Sequence, residues 1–157
     1  MRYGGLLLSS EGKIRLRILT LQDYDGWMAV WSAAGLTSVR PLGRDSRDAF
    51  ARQLAGGTHT LIGVEVDGDL AGVVLVTHDG RKGWLNRLAV APAYRHLGLA
   101  ARLVGEAERV LQAEGIEVYA ALIEPGNEPS LRLFTKLGYV EAKVGMHYVS
   151  KRPGPDA

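Results

Sequence analysis

The chain has 157 residues, 46% hydrophobic and 23% charged, with no Cys and a formal net charge of +2. That length fits one domain of roughly 150 residues, too apolar for disorder and without the ~20-residue apolar run of a membrane span. The absence of Cys excludes disulfides and thiolate chemistry, and so small a charge gives no argument for a nucleic-acid partner.

Met1–Gly12 reads as a loosely held tail. Its apolar run, Leu6-Leu7-Leu8, is too short for a signal peptide, so the expected address is the cytoplasm. Ile14, Leu16 and Ile18 alternate with Arg15 and Arg17 as in a half-buried strand. Thr20 and Asp23 resemble a capping box, and Tyr24, Trp27, Met28, Trp31 and Ala34 follow at helical spacing up to Gly35. Thr37–Arg44 reads as a loop. Asp45 or Ser46 then opens a short helix with Phe50 and Leu54 on one face, ended by Gly56-Gly57.

Three strands are predicted next: Thr60–Val66, Leu70–His78 and Trp84–Val90. Asp67-Gly68 makes the first hairpin turn and Asp79–Gly83 the second. Leu88-Ala89-Val90 is apolar on both faces, which predicts a central, covered strand. From Leu97 a long helix buries Ala100, Leu103, Val104, Ala107, Val110 and Leu111, and Gly115 caps it. Ile116–Ile123 reads as a strand, and Ser130 to Leu137 as a helix stopped by Gly138. Tyr139–Ala142 and Met146–Ser150 read as a closing hairpin. This is a single α/β domain over 13–151, with a short tail at 152–157 and a mixed sheet.

Chemistry concentrates where the buried strand meets the long helix. Pro92 breaks the strand, and Arg95, Gly98 and Ala100 then mark the helix start. A helix N-terminus exposes unpaired N–H groups and a partial positive charge, and small residues there let a phosphate approach the backbone. The residues therefore suggest a pyrophosphate seat. An ordinary strand-loop-helix, with Gly98 serving tight packing, is the alternative. Neither a GxGxxG fingerprint nor a P-loop occurs, and a flavodoxin-like nucleotide module fits neither the strand order nor the glycine pattern. His59, His78, His96 and His147 form no HxH or HxxxH pair, so no metal is expected.

Arg95-His96-Leu97-Gly98-Leu99-Ala100 resembles the R/Q-x-x-G-x-G/A motif of the GNAT superfamily of N-acetyltransferases. Asn127 with Leu133-Phe134-Thr135-Lys136-Leu137-Gly138-Tyr139 is similar to that family's N-x(n)-L-Y-x-K-L-G-F segment. The likeness spans roughly 13–151, and the turn at His78–Gly83 is similar to one in a little-studied bacterial GNAT subgroup. The resemblance implies a GNAT-like, mostly antiparallel mixed sheet of about seven strands with four flanking helices. It implies acetyl-CoA as co-substrate and no metal. The acceptor would be a primary amine on a small molecule, or a protein N-terminus or lysine. No nucleic-acid or membrane partner is implied, and a homodimer is left open.

By the same resemblance, Leu88, Ala89 and Val90 would present backbone to the pantetheine arm, in a gap between two strands. The amides of His96, Leu97, Gly98, Leu99, Ala100 and Ala101 would hold the pyrophosphate, with Arg95 adding charge. Asn127 would bond to the cofactor arm, and it is equally a good helix N-cap. Phe134 stands where the family carries a general-acid Tyr. Trp84 and Leu122 stand where members place a base, so no base is carried over. Glu124 and His147 are candidates, against readings as a solvated loop carboxylate and a structural His. Trp31, Arg40 and Arg44 are candidates to line an acceptor pocket. The two Arg would favour an acidic acceptor unless they are simply solvated. A CoA-binding regulatory domain without catalysis is the alternative, motivated by Phe134 and the missing base.

Overall fold

In the computed structural model, residues 13–143 and 145–157 are described, so the expected tail at Met1–Gly12 lies outside the described residues. Five strands form one sheet: β1 (Ile14–Ile18), β2 (His59–Val66), β3 (Asp69–His78), β4 (Lys82–Val90) and β5 (Val118–Ala120). Their spatial order is the sequence order, β1-β2-β3-β4-β5. The first four are antiparallel and β5 runs parallel to β4. Asp67 and Gly68, with φ of +51° and +88°, make the two-residue turn that joins β2 to β3. A parallel pair needs a crossover, and helix α3 (Leu99–Ala113) supplies it.

Helices cover both faces. Helices α1 (Tyr24–Ala33) and α2 (Arg47–Ala55) bury Trp27, Trp31 and Phe50 against Leu61, Val73, Leu75 and Ala89. On the other face, α3 and α4 (Glu128–Lys136) bury Leu99, Leu103, Leu111 and Phe134 against Ile62, Val64, Val74 and Leu85. The α3 stripe falls where 3.6-residue periodicity puts it. Gly83 lets α3 lie close to β4: a β-carbon there would collide with the Leu111 side chain. The chain ahead of α1 is fixed at Asp23, whose carboxylate accepts from the Thr20 N–H at 2.8 Å and from two Arg17 nitrogens at 2.8 and 2.9 Å. Those bonds, chiefly the two from Arg17, hold the Asp23 carboxyl down at about 2. Ser46 caps α2 by accepting from the Ala49 N–H at 3.2 Å.

Among the described residues the four helices are those expected, but five strands stand where seven were expected. The strand read over Ile116–Ile123 is only Val118–Ala120, and neither half of the closing hairpin is a strand. Val140, Met146, Tyr148 and Val149 are 77–88% exposed, so beyond Tyr139 the segment buries too little apolar surface to offset the cost of ordering it. A lone hairpin is marginal in water, and a three-residue edge offers it little to pair with. The reading of Leu88-Ala89-Val90 as central is corrected too. β4 is next to the end of the sheet, and β5 pairs with it only from Lys82 to Trp84, leaving the rest of that edge uncovered. At the other terminus, the Asp156 carbonyl lies against Gly43, and Arg44 donates to the Ala157 carbonyl at 2.9 Å.

Candidate functional site

The site begins where β4 and β5 part. Trp84 pairs with Ala120, and beyond that pair β4 runs on to Val90 while the chain after Ala120 leaves the sheet. An unpaired β edge presents a row of N–H and C=O groups to any extended ligand. Leu88, Ala89 and Val90 lie on that length of β4. From Val90 a short turn at Pro92–Tyr94 leads to α3.

The start of α3 is open. Gly98 is its N-cap at φ +71°, no side chain caps it, and the first turn holds no acidic residue. The first bond made back to Gly98 comes from Arg102, at 3.3 Å. The amides of Leu99, Ala100 and Ala101 thus precede the helix's own ladder. A β-carbon built on Gly98 meets nothing within 4 Å. Tight packing therefore does not explain this glycine; its backbone angle does. Arg95, His96 and Leu97 are exposed beside it, and His96 is itself left-handed at φ +66°.

A second part is a groove of about 1070 Å3 between β5, α4 and the segment after it. Glu124, Asn127 and Phe134 all line it, together with Trp84 at the end of the β4–β5 pairing. Asn127 caps α4, its side-chain oxygen accepting from the Ser130 N–H at 3.3 Å. Phe134 is 4% exposed and stacks edge-on against Tyr139 at 4.9 Å, so it is mainly a core ring. The Tyr139 hydroxyl donates to Glu108 at 2.8 Å; burial first, then that bond, raises its pKa well above the ordinary tyrosine value.

The remaining expected residues fall elsewhere. His147 is exposed on the irregular segment after α4. Arg40 spends its guanidinium on the carbonyls of Thr37 and Val39, at 2.8 and 3.1 Å. Arg44 donates to the Ser38 carbonyl at 3.2 Å as well as to Ala157. Neither arginine is therefore poised to draw in an acidic acceptor. Trp31 is fully buried, so it reaches the site only through its neighbour Arg87, whose guanidinium lies 5.2 Å over its ring.

Several polar residues here had no role in the site assigned to them from the sequence. Arg87 and Asp45 form an ion pair in which Asp45 is buried and Arg87 partly so. Asn86 donates to the Thr77 hydroxyl at 3.0 Å, and Thr77 pairs across the sheet with both His59 and Trp84. Burial, with His78 nearby, lowers the His59 pKa below the usual histidine value. One signal was present: Asn86-Arg87 sets two polar residues in succession into an otherwise apolar strand, as a bulge would.

Comparison with known proteins bears directly on this arrangement. The profile of the acetyltransferase (GNAT) family matches residues 26–139. The chain belongs to that family. It is an acetyl-CoA-dependent N-acetyltransferase by that membership, and structures that share its GNAT fold hold CoA ligands. The aminoglycoside N-acetyltransferase AAC(6')-Iy, solved with a CoA-linked bisubstrate analogue, superposes with a TM-score of 0.74 at 17% identity, over 90% of this chain and 100% of that one. A predicted acetyltransferase from Clostridium acetobutylicum, solved with acetyl-CoA, gives 0.69 at 12% identity, over 87% and 96%. A ribosomal-protein-alanine N-acetyltransferase from Brucella melitensis biovar Abortus 2308 gives 0.69 at 17% identity, over 89% and 100%. Among the described residues no His, Asp or Glu cluster suits a metal, and no helix is long and apolar enough to cross a membrane.

Proposed function

We propose that this GNAT enzyme transfers the acetyl group of acetyl-CoA directly to a primary amine, with the cofactor lying between the open edge of β4 and the start of α3. One observation carries the reading. β4 loses its partner after Trp84, and the freed edge leads straight to an uncapped helix N-terminus at Gly98. Leu88 and Val90 then present backbone groups to the amide-bearing arm, as an added strand would take them. The amides of Leu99, Ala100 and Ala101 receive the pyrophosphate, with Arg95 adding charge. Asn127 borders the groove from α4 and contributes its side-chain amide.

The acceptor favoured is a cationic amine. The groove is lined by Glu108, Glu117, Glu124, Glu128 and Glu141, against a single Lys82. That charge balance raises the local concentration of a polyamine or an aminosugar. A free amine with a pKa near 10.4 is mostly protonated at neutral pH and must lose a proton before it attacks. Glu124, exposed at the groove, is the group proposed to take it, directly or through water. A backbone N–H of β4 stabilises the charge that develops on the thioester oxygen. CoA leaves as a thiolate, and with Phe134 in place of a Tyr its proton comes from water. A thiol with a pKa of about 8.5 leaves without an acid of its own.

The test is acetyl-CoA turnover against spermidine, aminoglycosides, lysine and peptides with an N-terminal alanine, with products identified by mass. Acetylation of a cationic small amine above the hydrolysis background is expected. Tight CoA binding with no acetylated product from any amine would overturn the enzyme reading in favour of a CoA-binding regulatory domain.

A further inference from the structure

Arg87 makes more contacts than a strand residue needs. It stands inside β4 at φ +52°, a left-handed angle that strains any side chain larger than glycine. Val73 pairs with Ala89 and Leu75 with Asn86, so Arg87 and Leu88 together face Val74 alone. This is a bulge, and it leaves a backbone N–H without its place in the ladder. The Arg87 guanidinium donates to the Asp45 carboxylate and, at 3.3 Å, to the Ser38 carbonyl. The Arg87 carbonyl accepts from the Trp31 indole N–H at 3.0 Å. Asp45 is 2% exposed, and its second oxygen accepts from the Arg40 N–H at 2.6 Å. Its carbonyl accepts from the Tyr24 hydroxyl, also at 2.6 Å.

A buried ion pair is a poor source of stability on its own. A strained residue persists where its surroundings over-determine it, and such places cluster at functional sites. Here every contact of Arg87 comes from α1 or from the loop between α1 and α2, and all of them act on one bulge of the proposed cofactor strand.

We infer that Arg87 is a positioning residue: its pair with Asp45 fixes the β4 bulge so that the freed N–H holds the thioester carbonyl. The inference rests on the proposed acetyl-CoA site. Without the pair, nothing holds Arg87 at its left-handed angle, and the freed N–H loses its fixed direction. That change removes one contact, to the carbonyl oxygen. It spares those at Val90 and at the pyrophosphate seat, which lie beyond the bulge on β4 and on α3.

The probe is the pair acetyl-CoA and S-ethyl-CoA, the second lacking the carbonyl oxygen. Both are titrated calorimetrically into the full chain and into Arg87→Met, Arg87→Lys and Asp45→Asn. The wild-type protein is expected to prefer acetyl-CoA by about tenfold, the effect of one hydrogen bond. Arg87→Met should abolish that preference while S-ethyl-CoA affinity falls far less than acetyl-CoA affinity, and Arg87→Lys should restore part of it. Should Arg87→Met not fold, Asp45→Asn decides, since it keeps volume and polarity and should lose most of the preference. An unchanged preference in the folded variants overturns the proposal, and so does an equal loss for both ligands, which marks a merely structural role. A wild-type protein that binds both ligands alike overturns the positioning role alone. One that binds neither overturns the cofactor site beneath it.

Discussion

In the proposed cofactor site, Gly98 sets how closely the pyrophosphate can approach α3. Its φ of +71° costs an L-residue about 1 kcal/mol or more, and the space around it is otherwise empty. Gly98→Ala should therefore lower stability by about that amount, read as a drop in thermal midpoint, and weaken CoA binding further. Gly98→Val should all but remove CoA binding while the domain still folds; unchanged affinity in calorimetry would contradict the cofactor assignment. Arg95 should behave differently. Arg95→Ala removes a charged contact of roughly 1.5–3 kcal/mol, so Kd for CoA should rise about tenfold or more. Pantetheine, which has no phosphate, should bind both proteins alike. At this scale the sequence was readable where backbone chemistry is local. Gly98 and Asn127 stand at helix starts, and their neighbours announce them. Arg87 and Asp45 lie 42 positions apart, and no local pattern links a strand residue to the loop residue that neutralises it.

The elements formed where periodicity was long. α3, with five fully buried positions among them Leu103 and Leu111, could hardly be read as anything but a helix. The hairpins of β2, β3 and β4 follow from tight turns between apolar runs. The end of the chain was harder, because short strands draw their stability from partners rather than from propensity. β5 has a pairing partner on one side only, and the expected hairpin beyond α4 depended on β5 being longer. The entry to α1 is the element whose stability should respond to pH. Asp23 has its pKa lowered from 3.8 to about 2 in the folded chain. A carboxyl depressed on folding contributes stability that is complete above its unfolded pKa and lost as pH falls through the folded one. The thermal stability of the wild-type protein should thus fall between about pH 4 and pH 2. Asp23→Asn should start less stable at pH 7 and show a shallower loss across that window. Parallel acid profiles would mean that the Arg17–Asp23 pair contributes nothing.

Across the whole molecule, one sheet brings two tasks together. Its α1–α2 face is tied by Arg87 and Asp45 to the middle of β4, and the end of β4 feeds the start of α3. The acidic groove lies along β5, on the far side of the same gap. Cofactor and acceptor would then meet at the parting of β4 and β5, where Trp84 both ends the pairing and lines the groove. The crystal structure of the CoA complex tests this most directly. The account predicts the pantetheine arm along Leu88–Val90 and the pyrophosphate on the amides of Leu99–Ala101 beside Arg95. CoA bound instead in the apolar trough between Leu19, Leu54 and Leu61, with the start of α3 bare, would contradict it.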